Sequence, residues 1–317
     1  MPHSLSPDLL RQEIGAYLHF SIPAASGHFL TEEDVQEDGY RRLRIHYPSA
    51  EGEPVPAFLL LPAGEGPFSA VLVHHQHNGQ RYLGKSEVCG LAGDPLQAFG
   101  PALARRGLAV LAPDSPCFED RRANRTGITA DPENDDEQHF SEMCYRLLRG
   151  DTLMRKVLSD SAQAISLLRA QPQVDPERVG ILGHSYGGNT VLFHGALDKR
   201  IRFGCASGAA CTYEYKMAHG YGIEMAEVIP GFPLRYDIQD LAVCFAPRPF
   251  LIASASQDAH SQDAERIAAA ARSVYAEMGQ ADLLEHRRYP GGHGLTPERF
   301  ADIVDWMVKS ANRDPRS

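Results

Sequence analysis

Short apolar runs recur along the chain, separated by longer stretches with one apolar face. The runs lie at 69–74 (SAVLVH), 108–113 (LAVLAP), 178–182 (RVGIL), 249–255 (PFLIASA) and 285–290, with a weaker one at 201–206. Stretches with helical spacing fall between and after them, at 96–106, 151–171, 187–197, 262–278 and 297–311. Gly279 stops the fourth, and Thr296–Pro297 opens the last. Strands buried on both faces need no polar alternation, so this pattern predicts a mostly parallel central sheet with helices on both faces. The N-terminal part reads differently. Residues 39–48 and 53–62 alternate around a turn from Pro48 to Pro54, which predicts an antiparallel hairpin. Ser6, Pro7 and Asp8 form a helix start, followed by an apolar face of Leu9, Leu10, Ile14, Tyr17 and Leu18. Residues 1–38 are thus expected as an N-terminal helical extension packed on a body spanning 39–317. Two segments break the alternation, 115–150 and 207–245. Both follow C-terminal strand ends, where ligands bind in open α/β sheets, and both are expected to form pocket or cap insertions.

Composition narrows the picture. The 317 residues are 43% hydrophobic and 23% charged, which suits a large core. The net charge of −10 offers no basic stripe for nucleic acid. The six cysteines form no C-x-x-C pair, so neither zinc nor a redox dithiol is indicated. No run approaches the roughly 20 apolar residues of a spanning helix, and no basic-then-apolar leader opens the chain. The expectation is a cytoplasmic protein without a membrane partner; homo-oligomerisation is left open.

Candidate chemistry begins at Gly183-His184-Ser185-Tyr186-Gly187. This G-x-S-x-G follows a short buried run and precedes a helical stretch. That is the setting in which a sharp strand-to-helix turn exposes a strained serine hydroxyl. Residues with side chains two positions either side would clash there, hence the glycines. Ser185 is therefore the expected nucleophile. The general base should lie in a loop after a late strand. His293, in Pro290-Gly291-Gly292-His293-Gly294, meets that condition; His286 lies inside a strand, and His260 lies too close to the acid loop. The acid is Asp258 or Asp263. Asp258 directly follows a strand, whereas Asp263 sits in the first turn of a helix that Ser261 can cap, where the helix dipole alone accounts for a carboxylate. Asp258 is preferred.

Acyl transfer also needs donors for a developing oxyanion. The amide of Tyr186 is one; the second is expected at His77, in the loop His74-His75-Gln76-His77-Asn78-Gly79, within a residue or so. The three histidines also raise a metal site. Adjacent strand residues point to opposite faces, and no glutamate stands at helical spacing, so no metal is expected.

With these residues in place, the chain resembles the α/β-hydrolase superfamily, specifically bacterial dienelactone hydrolases, acetyl xylan esterase-like enzymes and prolyl oligopeptidase-type catalytic domains. The resemblance covers roughly residues 55 to 310. It rests on Val71 to Gly79, on Ala112-Pro113-Asp114 with Phe118 to Arg122, on Val174 to Gly188, and on Asp240-Leu241 with Ala246-Pro247-Arg248-Pro249. Asp114, Glu119 and Arg121 read equally well as loop salt bridges. The implied fold is that of the α/β-hydrolases, and the implied activity is cofactor-free hydrolysis of a small-molecule carboxylic ester. Short-acyl esters or deacetylation are expected, because nothing resembles a long amphipathic lipase lid. An amide- or peptide-cleaving hydrolase with the same triad is the alternative; a non-hydrolytic binding protein is a more distant one. Tyr213, Tyr221 and Met225 are expected to wall the substrate pocket, unless such residues simply close the core.

Overall fold

The computed structural model describes residues 6–24 and 27–313. Among the described residues, nine strands form one sheet in the order β1-β2-β3-β5-β4-β6-β7-β8-β9. β1 (Leu30–Glu37), β2 (Tyr40–Pro48) and β3 (Pro54–Pro62) form an antiparallel meander, and β3 pairs antiparallel with β5 (Ala109–Pro113). From β5 onward, β4 (Phe68–His74), β6 (Val174–His184), β7 (Phe203–Ser207), β8 (Phe250–Ala255) and β9 (Leu284–Tyr289) run parallel.

The helices cover both faces because the inner parallel strands β4 to β8 are apolar on both sides, whereas the edge strand β9 carries Glu285, His286, Arg287 and Arg288. One face carries α1 (Pro7–Tyr17), α4 (Pro132–Leu148), α5 (Leu153–Arg169), α6 (Tyr186–Leu197), α8 (Ile238–Phe245) and α9 (Ala264–Glu277), packed around Ile181, Phe193 and Phe245. The other carries α2 (Lys85–Val88), α3 (Phe99–Ala104) and α10 (Pro297–Ala311), packed around Val71, Leu182 and Met307. The short α7 (Tyr213–His219) belongs to an arm, residues 207–245, at the C-terminal ends of β7 and β8. No helix among the described residues is long and apolar enough to cross a membrane.

The N-terminal extension departs from expectation. α1 forms with Ser6 as its cap, and Arg11 docks it by donating to the carbonyls of Ala196 (2.8 Å) and Cys244 (2.5 Å). Residues 30–37, however, are not helical; they are the edge strand β1. Residues 1–5 and 25–26 of the extension lie outside the described residues. β1 escapes sequence reading because its exposed side chains, Glu32, Glu33 and Asp34 among them, show no apolar alternation. Backbone pairing and cross-strand ion pairs, such as Glu32 with Arg44 at 3.1 Å, hold it instead.

Beneath the sheet, α5 and α6 enclose a polar line. The Asp198 carboxylate accepts from His194 Nε2 (3.2 Å), and His194 Nδ1 accepts from the Ser161 hydroxyl (2.7 Å). Ser161 Oγ in turn accepts from His74 Nε2 (2.8 Å). Asp198 fixes this polarity, since a carboxylate only accepts. The line ties the end of β4 to the helix that follows β6.

Burial keeps several histidines neutral. It pushes His75 down to about 4 and His139 to about 3, and lowers His74, His184 and His194 as well. Unfolded histidines take up a proton near pH 6.5. Below that value the unfolded chain binds protons that the folded chain refuses, so stability is complete above pH 6.5 and is lost as pH falls. The slope is about 1.4 kcal/mol per pH unit for each such histidine. Urea unfolding at pH 7 and pH 5 should therefore differ by several kcal/mol, with the midpoint lower at pH 5. Equal midpoints would contradict the neutral burial of these rings.

Candidate active site

β6 ends at His184, and the chain turns at once into α6. Ser185 occupies the turn with φ 57° and ψ −122°, a left-handed conformation that a side-chain-bearing residue adopts only under constraint. The constraint comes from its neighbours. A Cβ on Gly183 would collide with the backbone of Gly187, and one on Gly187 would collide with the carbonyl of His74. The Ser185 amide donates to the carbonyl of Ser207 (2.8 Å), which fixes the turn against β7. Only 9% of Ser185 is exposed.

Three side chains from three loops meet here. Ser185 Oγ lies 2.7 Å from His293 Nε2, and His293 Nδ1 lies 2.9 Å from Asp258 Oδ1. The carboxylate can only accept, so Nδ1 carries the proton and Nε2 presents a lone pair to the serine hydroxyl. Asp258 is fully buried. Burial opposes its charge, yet hydrogen bonds from His293, from the Ser261 hydroxyl and from the His260 amide hold its carboxyl well below the usual carboxylate range. The rings of His184 and His260 flank His293 at 4.9 and 4.8 Å. Burial lowers the pKa of both. They remain uncharged at neutral pH and so do not oppose positive charge on the ring between them.

Asp263 sits elsewhere. Its carboxylate accepts from the Thr212 amide (3.0 Å) and hydroxyl (2.5 Å), pinning the start of α7. Ser261 does not cap a helix as expected; its hydroxyl donates to Asp258 Oδ2 (2.7 Å) and its oxygen accepts from the Ala255 amide (3.3 Å). Sequence reasoning also missed Arg299. Fully buried at the start of α10, it donates to the carbonyls of Ala253 (2.9 Å) and His293 (3.4 Å) and so ties the histidine loop to β8.

The loop after β4 lies beside Ser185. Among the described residues, the amides of Gln76, His77 and Tyr186 donate to no protein acceptor. His77 Nδ1 is 3.0 Å from Glu224 Oε1, a residue of the arm. Phe118 packs between His75 (4.7 Å), His139 (5.4 Å) and Tyr186 (5.2 Å), closing one wall.

The expected pocket wall needs correction at Tyr213. Tyr213 is buried in the core, its hydroxyl donating to the Glu227 carbonyl (2.7 Å), because an interior tyrosine must place its hydroxyl on an acceptor. Tyr221 is half-buried, 6.0 Å from both Tyr215 and His219, and Met225 packs on the main core. Asp114, Glu119 and Asp120 converge, with Lys85 Nζ between them at 2.9, 2.5 and 2.7 Å. The ammonium stands where a cation would, and Arg121 pairs with Asp160 at 2.8 Å, so these residues form salt bridges. A cavity of about 470 Å³ bounded by Arg11, Arg202, Arg248 and Arg313 opens away from this site; neither the serine turn nor the acid and histidine loops line it.

Comparison with known proteins places the chain. The acetyl xylan esterase family matches residues 24–219, and the prolyl oligopeptidase family matches 137–313. YtaP of Bacillus subtilis (strain 168), assigned as a hydrolase, is 29% identical over 265 residues, covering 81% of this chain and 84% of its own. A Bacteroides fragilis NCTC 9343 protein assigned as an acetyl xylan esterase superposes with a TM-score of 0.73 at 18% identity, over 90% of this chain and 77% of its own. A glucuronoyl esterase from Solibacter usitatus superposes at 0.67 and 16% identity, over 96% and 92%. At such identities the structures share the fold. The strained serine turn on a parallel sheet and the family matches agree: the chain belongs to the acetyl xylan esterase family of the α/β-hydrolases and is a carboxylic ester hydrolase.

Proposed function

We propose that Ser185 attacks the acyl carbon of a short-acyl ester while His293 takes its proton and Asp258 holds the ring. The line from Ser185 through His293 to Asp258, at 2.7 and 2.9 Å, carries this reading. The serine oxygen forms a bond to the carbonyl carbon, and the carbonyl oxygen becomes an oxyanion facing the amides of Tyr186 and His77. His293 then returns its proton to the departing alcohol, and the ester C–O bond breaks. Water, deprotonated by the same ring, releases the acid from the acyl-enzyme.

The acyl group is short in this reading, and deacetylation of a sugar ester is the favoured form. The family name supports acetyl. So does the arm, which brings Glu224 to 3.0 Å from His77 beside the serine turn. Six thiols, none paired among the described residues, favour a reducing compartment, and cytoplasmic residence belongs to the proposal. A fluorophosphonate probe should label one serine per chain. On p-nitrophenyl esters, kcat/KM should peak at acetyl or propionyl and fall as the chain lengthens, and acetanilides should be cleaved far more slowly than the matching esters. A maximum at octanoyl or longer would contradict the short-acyl assignment, and equal rates on anilides would favour the amidase alternative.

A further inference from the structure

The oxyanion loop is held from two sides, and the two attachments differ in kind. Its root is rigid. His74 ends β4 paired with Gly183, its ring is held by Ser161, and its carbonyl packs against Gly187. Two body contacts follow: His75 Nε2 accepts from the Ser115 amide (3.1 Å), and Gln76 Nε2 donates to Glu87 (3.0 Å). The tip then turns through Asn78 (φ 43°) and Gly79 (φ 66°). At the tip the side-chain attachment is His77 Nδ1 to Glu224 Oε1, and Glu224 comes from the arm rather than from the body.

Glu224 is itself well placed to hold. It opens a one-turn helix at Met225–Glu227, where its carboxylate accepts from the Glu227 amide and its own amide donates to the Glu227 carboxylate. Glu227 is fixed by a buried ion pair with Lys216 Nζ (2.8 Å). Burial works against charge on Glu224, but the hydrogen bond from His77 and the nearby Arg81 guanidinium hold its carboxyl below the usual carboxylate range. At the opposite end the arm is pinned by Asp263 on Thr212. The arm therefore spans from the acid loop to the oxyanion loop, and Glu224 is its anchor on the second.

We infer that Glu224 is a positioning residue for ester hydrolysis: through its bond to the His77 side chain it sets where the tip of the 75–79 loop holds its amides. The inference rests on the reading that this loop supplies an oxyanion donor. Such a donor acts at 2.7–3.1 Å from the oxyanion, and a misplacement of about 1 Å costs on the order of 10²-fold in rate. The bond contributes little to substrate binding, so its loss should appear in kcat.

The test uses Glu224→Ala, Glu224→Gln, His77→Ala and the Glu224→Ala/His77→Ala double variant, with kcat normalised to sites titrated by fluorophosphonate. His77→Ala keeps the main-chain N–H and removes the tether together with the ring's edge contact on Phe118 (6.0 Å), a contact that the Glu224 variants leave in place. Glu224→Ala and His77→Ala should each lose about 10- to 100-fold in kcat with KM within twofold, following the cost of a misplaced donor. Glu224→Gln keeps an acceptor for His77 and should recover most of the loss. The double variant should be no slower than either single variant, the signature of one shared interaction. Affinity for a boronic acid, which forms a tetrahedral adduct on the serine, should fall in step with kcat. Unchanged kcat, a rise in KM alone, or losses that multiply in the double variant would overturn the inference. Should Glu224→Ala fail to fold, His77→Ala and Glu224→Gln carry the same comparison. Ester hydrolysis surviving in Ser185→Ala would instead overturn the functional reading itself.

Discussion

Ser185→Ala should lower turnover by about 10⁴-fold or more while the chain stays folded. The size follows from the role: without the hydroxyl no acyl-enzyme can form, and in such triads loss of the nucleophile costs far more than any single hydrogen bond. The fold should tolerate the change. The Ser185 contacts that fix the turn are main-chain, its amide on Ser207 and its carbonyl accepting from Asn189. Alanine keeps both, though it inherits the same positive φ. The measurement is kcat on p-nitrophenyl acetate beside the thermal midpoint. Near wild-type hydrolysis in a folded variant would remove Ser185 from the mechanism.

The second large effect separates two aspartates five residues apart. Asp258→Asn should cut kcat by a factor on the order of 10⁴, because an amide can donate to His293 Nδ1 and so favour the tautomer whose Nε2 cannot accept the serine proton. The asparagine would also disturb the donors now aimed at the carboxylate, Ser261 and the His260 amide. Asp263→Asn should leave kcat within a few-fold. Its cost falls on the start of α7, where the Thr212 hydroxyl and amide lose a charged acceptor, a change of roughly 1–3 kcal/mol. Kinetics and urea unfolding of both variants give the comparison. A larger kinetic loss in Asp263→Asn than in Asp258→Asn would show the roles reversed.

Local pattern carried much of this. The strand-to-helix turn at Ser185 was legible because its constraints sit within two residues of the serine, as glycines. The loop of Asp258 was legible because it follows the apolar run of β8, and that of His293 because glycines flank the histidine between a strand and the Thr296–Pro297 helix start. What escaped notice lacks local signal. β1 is polar on both faces and is held by its pairing with β2. Ser261 read as a helix cap because Ser before a helical stretch usually is one; its true partner is set by the fold of the acid loop. Arg299 reaches a carbonyl 46 residues away, and Glu224 reaches His77 across 147. Periodicity has no access to such pairings. Tyr213 failed for a related reason: aromatic residues in a glycine-rich segment suit a pocket wall and a core equally, and only the acceptor on Glu227 distinguishes them.

The line from His74 through Ser161 and His194 to Asp198 gives the molecule a built-in control. It holds the same three residue types as the line at Ser185, in the same order, at 2.7 and 3.2 Å. Yet the imidazole is reversed: serine meets Nδ1 and aspartate meets Nε2. Ser161 lies within an ordinary helix, shut off from solvent. A chemical probe that counts reactive serines should therefore count one, not two. Hydrogen-bond order confers no reactivity by itself; what distinguishes Ser185 is its strained turn and the amides of Gln76, His77 and Tyr186 beside it, which donate to no protein acceptor among the described residues. Searches that score only the spacing of serine, imidazole and carboxylate would find three lines among the described residues, the third running from Ser254 through His286 Nε2 (2.8 Å) to Glu265 (3.0 Å), so spacing alone does not single out Ser185.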